Sequence, residues 1–237
     1  MLKTKYLLPV VVPTVLVAVL VGFLSMNGAG ARDQKTQVFV PGPALQGLSV
    51  ATFAGGCFWC VEAAFEKVPG VKEAISGYTG GQMPGPSYYE VSSGGTGHTE
   101  AVQVYYDPSV ISYEGLLEAL WRTGNPTDSK GQYVDRGSQY RPGIFYHDAA
   151  QKMAAEKAVK ELEASGRYPD PITIEITPAS LFYAAEDYHQ DYYKKNPLRY
   201  NVYTFNSGRY QFVESIWGED TDVDWMRYRP QANAGMA

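Results

Sequence analysis

Leu48-Ser49-Val50-Ala51-Thr52-Phe53-Ala54-Gly55-Gly56-Cys57-Phe58-Trp59-Cys60-Val61-Glu62-Ala63-Ala64-Phe65-Glu66-Lys67-Val68 reads as a strand, a tight turn and a helix. Residues 48–53 are short and apolar, and Gly55-Gly56 break the chain's direction. Phe58, Val61, Phe65 and Val68 then recur at helical spacing on one face. Pro69-Gly70 stops that helix. Two cysteines therefore open a helix, one turn apart. Unpaired backbone N–H groups and the helix dipole favour a thiolate there, so Cys57 is expected to have a lowered pKa and to be nucleophilic. Cys60 lies within disulfide reach. A purely structural disulfide is the plainer alternative, but so short a closed loop removes little unfolded-state entropy.

Outward from this unit, strands and helices of modest length alternate. Residues 71–78 can form a strand, 79–97 a long glycine-rich loop, 99–106 a strand and 112–122 a helix. A polar loop at 123–138 precedes a strand near 143–147. Residues 148–165 form the clearest helix, with Asp148 as its N-cap and Gly166 as its stop. Ile172, Ile174 and Ile176 alternate with Thr173 and Glu175 as a half-buried strand. Residues 184–195 read as a short polar helix. The pattern predicts an α+β domain, a two-layer α/β sandwich of the ferredoxin-like type. Its sheet is expected to be mixed, because the connection across 71–106 carries no helix.

The chain has 237 residues, 45% hydrophobic and 14% aromatic, enough for a proper core. Twenty Lys+Arg against 25 Asp+Glu give a formal charge of −5, which argues against a nucleic-acid partner. Two cysteines are too few for a four-cysteine zinc site. Residues 6–31 carry no charge, Lys3 and Lys5 precede them, and Ala29-x-Ala31 fits a signal-peptidase site. Residues 1–31 are thus expected to be a signal peptide or an uncleaved membrane anchor, the only membrane contact, with the rest exported to a periplasmic or outward-facing position. Residues 32–47 read as a linker, 48–200 as the catalytic domain and 201–237 as an extension packed on it.

Glu100 is anomalous. On its strand it shares parity with Val102, Val104 and Tyr106, so it points with the apolar face. A desolvated carboxyl has a raised pKa and suits a general acid. Tyr88 and Tyr140, both in loops feeding the same end of the sheet, supply uncharged donors. Glu186 and His189 make one carboxylate–histidine pair where a di-iron site needs two, so no metal is expected. A cysteine-protease reading leaves Cys60 idle.

Gly55-Gly56-Cys57-Phe58-Trp59, Gly77-Tyr78-Thr79-Gly80-Gly81, Gly97-His98-Thr99-Glu100-Ala101-Val102 and Gly137-Ser138-Gln139-Tyr140-Arg141 resemble the type A peptide methionine sulfoxide reductases. The segment 186–193 and Lys195-Asn196-Pro197 continue the likeness, which spans about 48–200. The resemblance implies that Cys57 is the nucleophile and Glu100 the acid. It also implies that Tyr88 and Tyr140 bind the sulfoxide oxygen and that Phe58 and Trp59 cradle the substrate methyl group. Asp135 matches a polar active-site position and His189 a supporting one. The implied reaction reduces the S epimer of methionine sulfoxide, free or in proteins, without a cofactor.

Two departures stand out. Cys60 replaces a glycine common in the family, and residues 200–237 lack the resolving cysteine that many members keep there. Cys60 is then the resolving thiol, and a Cys57–Cys60 disulfide would be recycled by a thioredoxin-like donor. Two other readings compete. A general thiol–disulfide oxidoreductase of the exported compartment leaves Glu100 and the tyrosines idle, and a tyrosine-rich binding module leaves the thiols idle.

Overall fold

The structure is a computed structural model, and it describes residues 34–230. The expected leader or anchor at 1–31 lies outside the described residues. Eight strands are β1 (Ser49–Ala54), β2 (Val71–Thr79), β3 (Thr99–Tyr106), β4 (Gly131–Gln132), β5 (Asp135–Arg136), β6 (Gly143–Tyr146), β7 (Glu175–Pro178) and β8 (Tyr183–Ala184). The α-helices are α1 (Phe58–Phe65), α2 (Tyr88–Ser92), α3 (Tyr113–Trp121), α4 (Ala149–Ala164), α5 (Tyr192–Lys195), α6 (Pro197–Asn206) and α7 (Arg209–Trp217).

The main sheet runs β7-β6-β1-β3-β2-β8. Its centre, β6-β1-β3-β2, is antiparallel throughout, with α1 between β1 and β2 and α3 between β3 and β6. That is the ferredoxin-like arrangement. β7 joins β6 in parallel, which makes the sheet mixed. β4 and β5 form a separate small hairpin.

β3 is buried along its whole length. Helices cover the face that carries Val102 and Val104, where Phe53 stacks on Phe65 with ring centroids 5.0 Å apart. The opposite face is covered by Phe182 and Phe39, which pack with Ala101 and Phe145. The segment before β1 is drawn onto the domain in the same way. Phe39 donates its backbone N–H to the Phe182 carbonyl at 2.8 Å, and Val38 bridges to Tyr183.

Local chemistry sets the boundaries. Ser112 and Asp148 cap α3 and α4 by accepting the N–H groups of Gly115 and Gln151. Gly56 has φ +83°, and a Cβ there would lie 2.5 Å from the Cβ of Gln132, so only glycine fits this turn. Three expectations change in detail. Of residues 184–195, expected as one short helix, only Tyr192–Lys195 are helical, and Ala184 ends β8. The glycine-rich loop 79–97 contains α2, nucleated by a capping box between Ser87 and Glu90. Ile172 and Ile174 pack against the core, but only residues from Glu175 onward pair as a strand, because Thr173 donates its N–H to the Pro126 carbonyl instead.

The last elements wrap back over α3. Trp217 of α7 donates its indole N–H to the Trp121 carbonyl at 3.1 Å. The Arg122 and Arg167 guanidinium groups lie over its ring at 3.8 and 4.3 Å. Farther along, Ser112 donates its N–H to the Tyr228 carbonyl. This packing delivers the start of α7 to the β1–α1 turn.

Candidate active site

The β1–α1 turn places Cys57 at the N-cap of α1 and Cys60 one turn into it. Both are free thiols, only 6% and 4% exposed, and they hydrogen-bond to each other. β3 brings Glu100 beneath them, 2% exposed. Its Oε2 accepts the backbone N–H of Phe58 at 2.9 Å. Burial above all pushes the Glu100 pKa well above the carboxylate range, helped by the charges of Asp135, Cys60 and Glu186. The carboxyl is buried, as its strand parity suggested, and that burial favours its protonated form.

Cys57 departs from expectation. Its pKa is raised, not lowered: burial leads, followed by the hydrogen bond and charge of Cys60, then Glu100 and Asp135. The physical reason is local. The first N–H of α1, which would support a thiolate, is donated to Glu100, and the Cys57 side chain makes no capping hydrogen bond. Cys60 goes the other way, down to about 6. The hydrogen bond from Cys57 dominates, burial opposes it, and Arg209 and Thr204 assist. The two thiols thus form one pair in which the Cys60 side is favoured as the more acidic.

Around the thiols lies an aromatic wall. Trp59 stacks on Tyr192 with centroids 3.7 Å apart and meets Tyr203 edge-on at 5.9 Å. Its indole N–H is donated to His189 Nδ1 at 3.0 Å. His189 also packs against Phe58 and Tyr88, with centroids at 5.1 and 4.3 Å. Burial drives its pKa down to about 3, so the imidazole is neutral. Since Nδ1 accepts, the proton is on Nε2, which is buried and has no partner among the described residues.

Tyr88 starts α2, and Tyr140 ends the short turn after β5. Burial raises both phenols, and Glu100 is the next cause for each, with Cys57 also acting on both. They thus remain neutral donors beside the acid and the thiol. Glu186 anchors Tyr88 from behind: it accepts the Tyr88 backbone N–H at 2.8 Å and the Tyr78 hydroxyl at 2.9 Å. Asp135 accepts the Tyr203 hydroxyl, and burial raises its pKa against that bond and Arg209. All nine residues expected from the sequence converge here. The side chains they bring together are mostly aromatic, with neutral donors around the buried Glu100.

Glu62, Glu66 and Asp191 are the one carboxylate cluster among the described residues close enough to hold a metal. Lys194 already sits there, with Nζ at 2.5 Å from Glu66 and 2.7 Å from Asp191.

The sequence model of the peptide methionine sulfoxide reductase family matches residues 49–221. The chain belongs to that family. The enzyme called peptide methionine sulfoxide reductase MsrA of Listeria monocytogenes serotype 4b is 53% identical over 172 residues, 73% of this chain and 97% of that one. Among solved structures, reduced Mxr1 from Saccharomyces cerevisiae superposes with a TM-score of 0.61 at 33% identity, covering 67% of this chain and 90% of that one. Methionine sulfoxide reductase A of Corynebacterium diphtheriae gives 0.59 at 32% identity, covering 70% and 88%. This reductase is an α+β enzyme of the type A group.

The family match runs to residue 221, beyond the 48–200 over which the motifs were recognised. Sequence reasoning passed over Tyr192, Tyr203 and Arg209 of this reductase and weighed Glu186 only as half of a metal-ligand pair. Tyr192 and Tyr203 brace Trp59, Glu186 anchors Tyr88, and Arg209 reaches the turn before Cys57. The Glu186 contacts link it to residues 98 and 108 positions away, a separation that no local pattern reveals.

Proposed function

We propose that this reductase acts on the S epimer of methionine sulfoxide, free and in proteins, through a Cys57 sulfenic acid and a Cys57–Cys60 disulfide. The observation that carries the reading is the buried Glu100 carboxyl, its pKa raised, set beside the hydrogen-bonded thiol pair and two neutral phenols. Tyr88 and Tyr140 hold the sulfoxide oxygen, while Phe58 and Trp59 receive the methyl group. Asp135 and His189 line the same pocket and support its aromatic wall.

The protons balance at each step. Cys57 attacks the sulfoxide sulfur as its proton passes to the Cys60 thiolate, and Glu100 protonates the oxygen. Methionine leaves and Cys57 carries a sulfenic acid. Glu100 takes the proton back from Cys60. Cys60 then attacks the Cys57 sulfur, and the hydroxyl leaves as water with the Glu100 proton. An external dithiol reduces the disulfide, restoring the Cys57 proton and the Glu100 proton while it becomes a disulfide itself. A thioredoxin-like protein outside the cytoplasm fits this requirement. That location, with residues 1–31 as signal peptide or anchor, rests on the charge-and-run pattern of the N-terminus.

The test is direct. Incubated with dithiothreitol and each epimer separately, the protein is expected to yield methionine from the S epimer alone. Equal yields from both epimers, or turnover of the R epimer only, would overturn the assignment.

A further inference from the structure

The extension after residue 200 brings Thr204 beside Cys60 Sγ and one buried cation close to the thiol pair. Arg209, the first residue of α7, is 4% exposed although it is charged. Its Nη1 and Nη2 donate to the Gly55 carbonyl, both at 3.2 Å, and Nη1 also donates to the Thr123 carbonyl. The guanidinium lies over the Tyr133 ring, 4.8 Å from its centroid. Its Nε–H is buried and has no acceptor among the described residues. No carboxylate pairs with it at ion-pair distance among those residues. A buried cation held only by carbonyls and a ring is costly unless a negative charge lies nearby.

Cys60 is the first acidic group whose charge acts on Arg209, and Arg209 also acts on Asp135. Cys60 and Arg209 line the same open cavity of about 540 Å³, bordered by α1, α3, α6, α7 and the segment 221–225. We infer that Arg209 is a positioning residue that holds Cys60 as the thiolate of the reduced pair and aims it at Cys57. The inference rests on the cycle proposed above, in which Cys60 first accepts the Cys57 proton and later attacks its sulfur.

The other groups facing Cys60 do not supply a cation. Cys57 is hydrogen-bonded to Cys60, and the Thr204 hydroxyl, which donates to the Tyr200 carbonyl, lies 3.7 Å from Sγ. Tyr200 on α6 and Tyr133 in the β4–β5 turn present phenols, while Asp135 and Glu100 present carboxyl groups. Lys67, Arg122 and Asp222 also line the cavity. Arg122 is occupied by Glu118, 2.5 Å away, and Lys67 is exposed in the turn after α1. The glycine turn explains how the cation fits: a Cβ on Gly56 would come within 3.2 Å of Arg209 Nη2.

A Cys57→Ser protein has one thiol left, so its thiolate absorbance titrates Cys60 alone, and the serine hydroxyl keeps the donated hydrogen bond. The midpoint is expected below the ordinary cysteine value of about 8.5. Adding Arg209→Met should raise it by at least about one unit, a tenfold change in acidity. Arg209→Lys, which keeps the charge, should leave it within about half a unit of the parent. In the otherwise wild-type protein, Arg209→Met should move the low-pH limb of the methionine burst upward by the same amount. An unmoved midpoint in Arg209→Met, a lysine variant shifted as far as the methionine one, or a parent midpoint at or above about 8.5 would each overturn the inference. Failure of the proposed cycle would look different: the wild-type protein would give no methionine burst at all.

Discussion

A Cys57→Ser protein is expected to lose methionine formation on the order of 10⁶-fold, the scale on which removing a nucleophile abolishes catalysis in well-studied hydrolases. A serine hydroxyl is not ionised near neutral pH and is a poor nucleophile without a dedicated base. The fold should survive, because Cys57 caps α1 through its backbone. Its carbonyl accepts the N–H groups of Cys60 and Val61 at 3.1 and 3.4 Å, and its side chain makes no cap. The measurement is single-turnover methionine yield together with the thermal midpoint. Activity near wild type in a folded Cys57→Ser protein would remove Cys57 from the nucleophile's role.

Glu100→Gln should slow the same step by about 10²–10⁴-fold, the usual worth of a general acid. Glutamine keeps an oxygen to accept the Phe58 N–H but has no proton to give. The pH dependence separates the roles. The Glu100 pKa is raised, so its protonated, active form is lost as pH climbs through that value, and the wild-type step slows at high pH. On the acid side, the step speeds up as pH rises through about 6, where the pair acquires its thiolate. Wild type should therefore show a bell, and the glutamine variant should keep only the acid limb. A variant as fast as wild type, or one that keeps the high-pH decline, would pass the proton donor's role to Tyr88 or Tyr140.

The unit from β1 to α1 was legible because its signals are local: an apolar strand, two glycines and a helical stripe within about twenty residues. Glu100 was legible for a similar reason, since period-two parity assigns a face without knowledge of the partner strand. The capping box Ser87-x-x-Glu90 is an equally local signal, and it marks α2 inside what reads otherwise as a loop. The ionisation of the thiols was not legible. It depends on where the Phe58 N–H goes and on a cation 149 positions after Cys60 (209 − 60), both decided by tertiary packing. Tyr203 is similar: its hydroxyl meets Asp135 from 68 positions away. The helix-dipole argument was sound for an isolated helix and was overruled by a buried acid that took the first donor.

One measurement tests the central claim most directly. A Cys60→Ser protein, fully reduced and mixed with excess S sulfoxide, retains the attacking thiol but has no partner to resolve it. It is expected to form about one equivalent of methionine per protein, more slowly than wild type, and then to stall with one oxygen added to Cys57, trapped by a sulfenic-acid reagent. No methionine from the folded variant, or sustained turnover with a thioredoxin-like donor, would contradict the account.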